Sequence, residues 1–279
     1  MKINLGYQVY SAREEAEKDL LGVLKKLAEI GYDAVEFAGF YGHSADEVNA
    51  MLKETGLIAI SSHVPYQSFI EDMQGTIDYH AAIGCKFIAV PYLDEQTRPG
   101  AAGFAGALRN IAKFGKMCKK AGIQLLYHNH DFEFVMVSGQ YGLDFIYDAI
   151  SPCALQTEID TCWVNVAGEV PAEYILKYTG RAPVVHLKDF VGSKKEGEAL
   201  FALITPDGKD DIVVEEKKEP AFDFRPVGYG LQDVPAIIKA GLKAGASWFI
   251  VEQDRSTERP PLEAAAMSCG TVRKIEKEL

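Results

Sequence analysis

The sequence contains no long apolar run. No stretch approaches the roughly 18 residues that a helix needs to cross a bilayer. Residues 1–6 also lack the charged and then apolar pattern of a signal peptide, and they resemble a strand instead. We therefore expect a soluble protein with no membrane partner.

Positive charge and paired cysteines are also scarce. The chain has 29 Lys and Arg against 40 Asp and Glu, a formal net charge of −11, which argues against a nucleic-acid partner because phosphate binding needs a positive surface. No CxxC pair occurs, and a dispersed, odd set of thiols is typical of a reducing compartment. This predicts a cytoplasmic location. The five cysteines are Cys85, Cys118, Cys153, Cys162 and Cys269.

What the sequence does contain is a regular alternation of strand and helix patterns along all 279 residues. Glycines such as Gly31, Gly56 and Gly122 end most of the helices. A GxGxxG turn after the first strand, which a doubly wound sheet would favour, is missing. The sequence therefore predicts an α/β protein, a single (β/α)8 TIM barrel spanning residues 1–279. The predicted strands are 3–7, 34–37, 57–61, 87–90, 122–127, 155–160, 183–187 and 248–252. The predicted helices are 12–30, 45–55, 68–83, 101–121, 143–150, 171–178, 233–244 and 261–277.

One segment interrupts this rhythm, a long βα loop at about residues 192–229. It contains Pro206-Asp207-Gly208 between two apolar runs, 203–204 and 212–214, which predicts a hairpin. A loop of this length over a barrel mouth is a candidate lid.

Polar residues collect where the predicted strands end. The stretch 125–134 follows a buried strand and places His128 and His130 on one face if the strand persists. Because TIM-barrel active sites lie at the carboxyl ends of the strands, these residues should meet at one mouth. Imidazoles and carboxylates are ordinary ligands of a divalent metal, so we predict a metal site. The competing interpretation is that strand ends are polar because the chain is leaving the core. The residues concerned are Glu36, His63, Tyr92, His128, His130, Glu158, Asp160, His186, Lys188 and Glu252.

These strand ends carry a resemblance to a known family. The stretches 160–163 (Asp-Thr-Cys-Trp), 186–189 (His-Leu-Lys-Asp) and 251–253 (Val-Glu-Gln) resemble the sugar phosphate isomerase/epimerase superfamily, whose barrel is xylose isomerase-like. The resemblance implies metal ligands on strands five to eight, which fall on His128, Asp160, His186 and Glu252. His128 departs from the epimerases, which carry a glutamate there, and Glu158 could supply the missing carboxylate. The run 127–130 (Tyr-His-Asn-His) resembles the inosose dehydratase and 3-keto-glycoside lyase branch instead.

The resemblance also implies a chemistry. A divalent ion, manganese in first place with cobalt, zinc and magnesium as alternatives, would stabilise an enediolate formed from a keto- or aldo-sugar or a sugar phosphate. We predict Glu158 and His130 as bases and Lys188 as the partner of an oxyanion. For Lys188 and the arginines, solvated surface positions are the competing interpretation. The predicted substrate-binding residues are Glu36, His63, Asn129, Trp163, Arg225 and Arg255.

Four functions remain open from sequence. Metal-dependent isomerisation or epimerisation of a small carbohydrate is the first, and the second is elimination, as in an inosose dehydratase or 3-keto-glycoside lyase. An endonuclease IV-like phosphodiesterase is disfavoured by the charge, since DNA binding would need a basic groove. A non-catalytic binding barrel is the fourth. A homo-oligomer is compatible with all of them.

Overall fold

A computed structural model describes residues 2–194 and 221–279. Eight parallel strands form one sheet. They are β1 Leu5–Gln8, β2 Ala34–Phe37, β3 Ile58–Ser62, β4 Phe87–Val90, β5 Gln124–His128, β6 Gln156–Asp160, β7 Val184–Leu187 and β8 Trp248–Val251. Their order in the sheet is β3-β2-β1-β8-β7-β6-β5-β4.

The ring closes between the two ends of this order, β3 and β4. A parallel bridge joins His63 to Ala89 just beyond the end of β3. Backbone bonds from Lys86 N to Ile60 O (3.1 Å) and from Val64 N to Ala89 O (2.9 Å) complete the join. The prediction of a (β/α)8 TIM barrel is confirmed.

Helices surround the sheet. They are α1 Arg13–Ile30, α2 Ala45–Thr55, α3 Tyr66–Glu71, α4 Met73–Ala82, α5 Phe104–Lys120, α6 Gly142–Ala149, α7 Thr161–Val166, α8 Pro171–Lys177, α9 Val234–Ala244 and α10 Pro261–Glu278. Gly31, Gly56 and Gly245 end α1, α2 and α9 in left-handed conformation, as the glycine pattern predicts. Among the described residues, no helix combines the length and apolar character that crossing a membrane requires.

The predicted helix 68–83 is wrong in one respect, because the chain breaks at Asp72 between α3 and α4. Asp72 adopts φ −146° and ψ 81°, and its carboxylate accepts a hydrogen bond of 2.8 Å from Gly75 N. A Cβ at Gly75 would stand 2.1 Å from that carboxylate, so only glycine allows the approach. Asp19 and Gly22 repeat the same arrangement inside α1. An Asp-x-x-Gly pattern within a helical stretch therefore marks both irregularities.

The interior of the barrel has an apolar floor. Six strands contribute one residue each to a buried cluster, and β1 contributes Gly6, where a Cβ would stand 2.5 Å from Ile250 Cδ1. The polar strand ends lie above this floor, so a side chain there is buried without being part of the apolar core. The cluster consists of Ala34, Ile60, Ala89, Leu126, Val184 and Ile250.

The long loop after β7 begins and ends in an antiparallel ribbon, Asp189–Val191 with Asp223–Arg225. The Asp189 carboxylate accepts hydrogen bonds from four backbone amides, which fixes the return of the chain towards α9. These amides belong to Phe190, Gly228, Gly230 and Gln232. Residues 195–220, with the predicted hairpin at Pro206-Asp207-Gly208, lie outside the described part, and the hairpin and the lid stay predictions.

Candidate active site and metal centre

The carboxyl ends of six strands bring imidazoles and carboxylates into one buried group. Glu36, Glu158, Asp160 and His186 are fully buried, and the exposed fraction of His63 is 8%. Because side chains alternate along a strand, Glu158 and Asp160 on β6 face the same way, with Glu158 one step deeper in the barrel.

Two overlapping ligand sets can be drawn within this group. The outer set is His128, Asp160, His186 and Glu252, and the inner set is His63, His128, Glu158 and His186. Within each set the donor atoms lie within 4.8 Å of one another. The four predicted metal ligands are the outer set, so the structure brings them together.

The inner set is held by imidazole–carboxylate contacts, both among its members and with the neighbouring Glu36. His63 Nε2 lies 2.9 Å from Glu158 Oε2 and 3.2 Å from Glu36 Oε1. His186 Nε2 lies 2.8 Å from Glu36 Oε1, and His128 Nδ1 lies 3.4 Å from Glu158 Oε2. Gln8, which sequence analysis did not select, donates to Glu36 Oε1 at 2.8 Å and orients that carboxylate.

The outer set is organised by Lys188. Its Nζ lies 2.9 Å from Asp160 Oδ2, 2.8 Å from Glu252 Oε2 and 2.9 Å from Asp254 Oδ2, and it is almost fully buried. Asp254 was also missed from sequence. The signal that could have found it is its spacing of two residues from Glu252, which can put both carboxylates on one side of an extended chain.

Charge and burial act against each other in the inner set. Burial would lower the pKa of His63, but Glu36 and Glu158 raise it to about 10. Burial raises the pKa of Glu158, and repulsion from Glu36 adds to the effect. Burial lowers the pKa of His128 well below its ordinary value, and repulsion from His186 and His63 lowers it further, which favours the neutral ring.

Beside the outer set, the carboxylates of Asp160, Glu252 and Asp254 share the Lys188 ammonium. Burial opposes the charge of Lys188, but Asp160, Asp254 and Glu252 raise its pKa well above the ordinary value. Burial raises the pKa of Asp254 to about 7, with only partial compensation from Lys188. Burial opposes ionisation of Glu252 too, but Lys188 and His186 hold the pKa of Glu252 below its ordinary value. Of Asp254 and Glu252, Asp254 therefore retains its proton more easily.

The donors fit a divalent metal ion. Glu36 Oε2 and Glu158 Oε1 are buried and accept no hydrogen bond from any residue in the described ranges. A buried carboxylate oxygen left in this state is costly unless a cation or proton meets it. Mixed imidazole and carboxylate donors suit manganese, cobalt or zinc better than magnesium. The structure thus contains a buried cluster that could bind such an ion.

The predicted base His130 lies beside this group. Its ring centroid is 5.3 Å from that of His128, and its ring stacks on Phe132. Burial, and then repulsion from Lys188, lowers the pKa of His130 well below its ordinary value. The strand-end residue Tyr92 meets the His130 ring edge-on at 6.2 Å.

Two predicted substrate-binding residues are built into the scaffold. The Asn129 side chain accepts a hydrogen bond from Asp160 N (2.9 Å) and donates to Asp160 O (3.3 Å), which fixes the end of β6. Trp163 is fully buried on α7, a helix that sequence analysis did not predict, and its ring lies 5.3 Å from Lys188 Nζ. The Asp160 carboxylate caps α7 through Cys162 N at 2.8 Å.

The two predicted arginines lie on the loops around the mouth. Arg225, in the ribbon, pairs with Asp223 and, at 2.9 Å, with Glu258. Arg255 follows Asp254 and is partly buried. Their role in binding substrate stays a prediction.

Comparisons with known proteins agree on the fold. The family model described as a xylose isomerase-like TIM barrel matches residues 24–274. A sugar phosphate isomerase/epimerase structure from Parabacteroides distasonis superposes with a TM-score of 0.74 at 21% identity, over 98% of this chain and 94% of that one. A D-allulose 3-epimerase structure from Methylomonas sp. gives a TM-score of 0.68 at 13% identity, over 98% of both chains. At these identities the structural likeness is one of fold alone.

A curated relative matches part of the sequence. An inosose dehydratase from Geobacillus kaustophilus is 22% identical over 189 residues, which is 60% of this chain. The match spans only 61% of that relative's length.

Proposed function

The chain belongs to the xylose isomerase-like TIM-barrel family, and on that premise we propose that it is a metal-dependent sugar isomerase or epimerase. Its substrate is a keto- or aldo-sugar, free or phosphorylated. The observation that carries the proposal is the buried group of carboxylates, imidazoles and one ammonium at the carboxyl ends of the strands. In this fold that is where catalytic side chains lie.

Isomerisation and epimerisation begin with the same step. A base removes the proton on the carbon next to a carbonyl, and negative charge develops on two oxygens of the resulting enediolate. Glu158 suits the base, since burial raises the pKa of its carboxylate and makes it a better proton acceptor. Lys188 brings the positive charge that a developing oxyanion needs.

A divalent ion held by the outer set would act as a Lewis acid towards the substrate oxygens. His128, Asp160, His186 and Glu252 are the residues proposed to hold it. Lys188 Nζ contacts Asp160 Oδ2 and Glu252 Oε2, the oxygens that His128 Nε2 and His186 Nδ1 also approach. An ion held there would compete with the ammonium, which would keep Asp254 as its third partner.

Elimination is the second candidate. Epimerisation removes a proton from one face of a carbon and returns one to the other face, so it needs an acid or base on each side of the enediolate. His128 occupies the position where the epimerases carry a glutamate. An imidazole that binds a metal has no lone pair left on that nitrogen for proton transfer. Glu158 or His130 would then act from one side, which favours loss of a β-oxygen. The match to an inosose dehydratase supports this candidate.

The experiment that separates the two is an NMR screen in D₂O with Mn²⁺. Keto-sugars, aldoses and keto-inositols are incubated with the protein, and deuterium incorporation and product are followed. Solvent deuterium in a sugar of unchanged formula supports isomerisation or epimerisation, whereas loss of water supports elimination.

Asp160→Asn tests the metal dependence, with the exposed Cys153→Ala as control. We expect Asp160→Asn to reduce turnover by at least about 100-fold, since it removes a charged ligand. Turnover that survives both chelation and Asp160→Asn would refute the proposed role of the metal.

A further inference from the structure

Arg98 lies on the loop that follows β4, at the same end of the barrel as the candidate site. Its side chain forms no ion pair with any residue in the described ranges. We propose that Arg98 determines substrate specificity by binding an oxyanion, a phosphate or a carboxylate, at the end of the substrate remote from the reacting carbonyl. This inference rests on the function proposed above in one respect, since it takes the anion to be part of the substrate.

Stacked groups connect Arg98 to the candidate site. Its guanidinium carbon lies 4.1 Å from the centre of the Phe132 ring. Phe132 in turn lies parallel to His130, with an angle of 2° between the rings and 5.2 Å between their centroids. Arg98 is therefore two stacking steps from His130, the predicted base beside the metal ligands. A sugar whose carbonyl meets the site can span this distance with a terminal phosphate or carboxylate.

The donors of the Arg98 side chain are not used within the described part of the chain. Its Nε is buried there without a hydrogen-bond partner. The aspartates of the same two loops have other partners. Asp94 accepts a hydrogen bond of 2.7 Å from the Thr97 hydroxyl, and Asp131 pairs with Lys194. A planar guanidinium presents its donors as a fork that matches two oxygens of a phosphate or carboxylate, so Arg98 is suited to bind either group.

The loop holds Arg98 in place before any ligand binds. Arg98 N donates to Asp94 O at 2.8 Å, and Ala101 N donates to Arg98 O at 3.0 Å. The next residue, Pro99, is buried and packs against Gly142 at the start of α6, where a Cβ would lie 2.3 Å from Pro99 Cβ. Stacking on the aromatic ring restricts the side chain as well. A donor that is ordered in advance loses less conformational entropy when its ligand binds.

An arginine without an acidic partner is unexpected in a chain of this charge. Acidic residues outnumber basic ones by 40 to 29, and Arg225, also on a loop at the mouth, pairs with Asp223 and Glu258. The net charge of −11 repels anions from the surface as a whole, so the guanidinium of Arg98 would direct an anionic group to one place. If stacking on Phe132 were the whole role of Arg98, anion binding would not depend on it.

The test measures the binding of sorbitol, sorbitol 6-phosphate and gluconate to the protein as purified, by titration calorimetry. Wild-type protein should bind at least one of the anions about 10- to 100-fold more tightly than sorbitol, because hydrogen bonds between charged groups are the stronger ones. The anion that binds more tightly shows whether the group is a phosphate or a carboxylate. Arg98→Gln should reduce the preference to within about threefold, and Arg98→Lys, which lacks the planar fork, should retain only part of it.

Arg109→Gln is the matched control, since Arg109 is exposed on α5, and it should keep the wild-type preference. Wild-type protein that binds neither anion more tightly than sorbitol would overturn the proposal. So would an Arg98→Gln variant, shown to be folded by circular dichroism, that keeps the full preference. If Arg98→Gln does not fold, Arg98→Lys repeats the test, and an undiminished preference then overturns the proposal. No turnover is measured, so the catalysis proposed above can fail while the anion preference holds.

Discussion

Replacing Lys188 by methionine removes the ammonium while keeping much of the side-chain length. The structure places Asp160, Glu252 and Asp254 each within 2.9 Å of Nζ, and the ammonium is almost fully buried. Removing one partner of a buried charge pair costs about 3–5 kcal/mol, because the remaining charge is left uncompensated. For a chain of this size that corresponds to a fall in Tm of roughly 10 °C.

This loss should depend on pH in a defined direction. Without Lys188 the folded-state pKa values of the three carboxyls rise, from already above the unfolded value for Asp160 and Asp254 and from below it for Glu252. A group with a raised folded pKa stabilises the fold below its unfolded pKa, and this contribution disappears as pH rises through the folded pKa. Since the pKa of Asp254 is already about 7 with Lys188 in place, the variant should approach wild-type stability near pH 5 and fall furthest behind near pH 8.

Thermal unfolding at pH 5 and pH 8 measures both effects. Lys177→Met is the control, because Lys177 pairs with Asp144 at 2.6 Å but is half exposed, and such pairs contribute about 0–1 kcal/mol. Added Mn²⁺ should stabilise Lys188→Met more than wild-type protein, since the ion no longer competes with an ammonium. A Tm of Lys188→Met at pH 8 within about 2 °C of the Lys177→Met value would refute the reasoning.

Three further predictions concern stability. Burial raises the pKa of Glu133 to about 8, so its protonated carboxyl stabilises the fold below about pH 4.5, and this stabilisation is lost as pH rises to about 8. Glu133→Gln should therefore make the free energy of unfolding in urea depend less on pH over this range. The same pH dependence as in wild-type protein would contradict this. A Cβ at Gly115 would lie 2.1 Å from Ala154 O, so Gly115→Ala should lower the free energy of unfolding by about 1–3 kcal/mol. Gly106→Ala in the same helix should not, because the nearest atom to a Cβ there, Arg109 Nη2, lies at 3.8 Å. Asp189→Asn puts an amide group in place of one oxygen that accepts backbone N–H bonds, so it should speed proteolysis between β7 and α9; wild-type cleavage rates would argue against this anchor.

The barrel itself could be predicted because its signals are local. A strand of a parallel barrel is apolar along its length, and a glycine in left-handed conformation ends a helix at Gly31, Gly56 and Gly245. The helix α7 was missed because six residues are too few for a periodic pattern, and its start depends on a cap from Asp160. The break at Asp72 was missed because the helical pattern continues across it.

The site could be predicted only as far as strand ends reveal it. His128, Asp160, His186 and Glu252 converge because the fold gathers the ends of β5 to β8. Their partners could not be found in the same way. Asp254 lies beyond its strand, and its role depends on how far Lys188 reaches. Whether a polar residue such as Asn129 contacts substrate or bonds to backbone depends on side-chain direction, which composition does not determine.

Lys188 and Asp189 are adjacent in sequence but contact different parts of the structure. One side chain reaches into the barrel mouth, and the other gathers the backbone amides at the end of the long loop. Because successive side chains of an extended chain point in opposite directions, inserting or deleting one residue here would exchange the two. During evolution, the length of the chain between His186 and Asp189 would therefore be fixed. Changes of length would instead be accepted beyond the ribbon that follows.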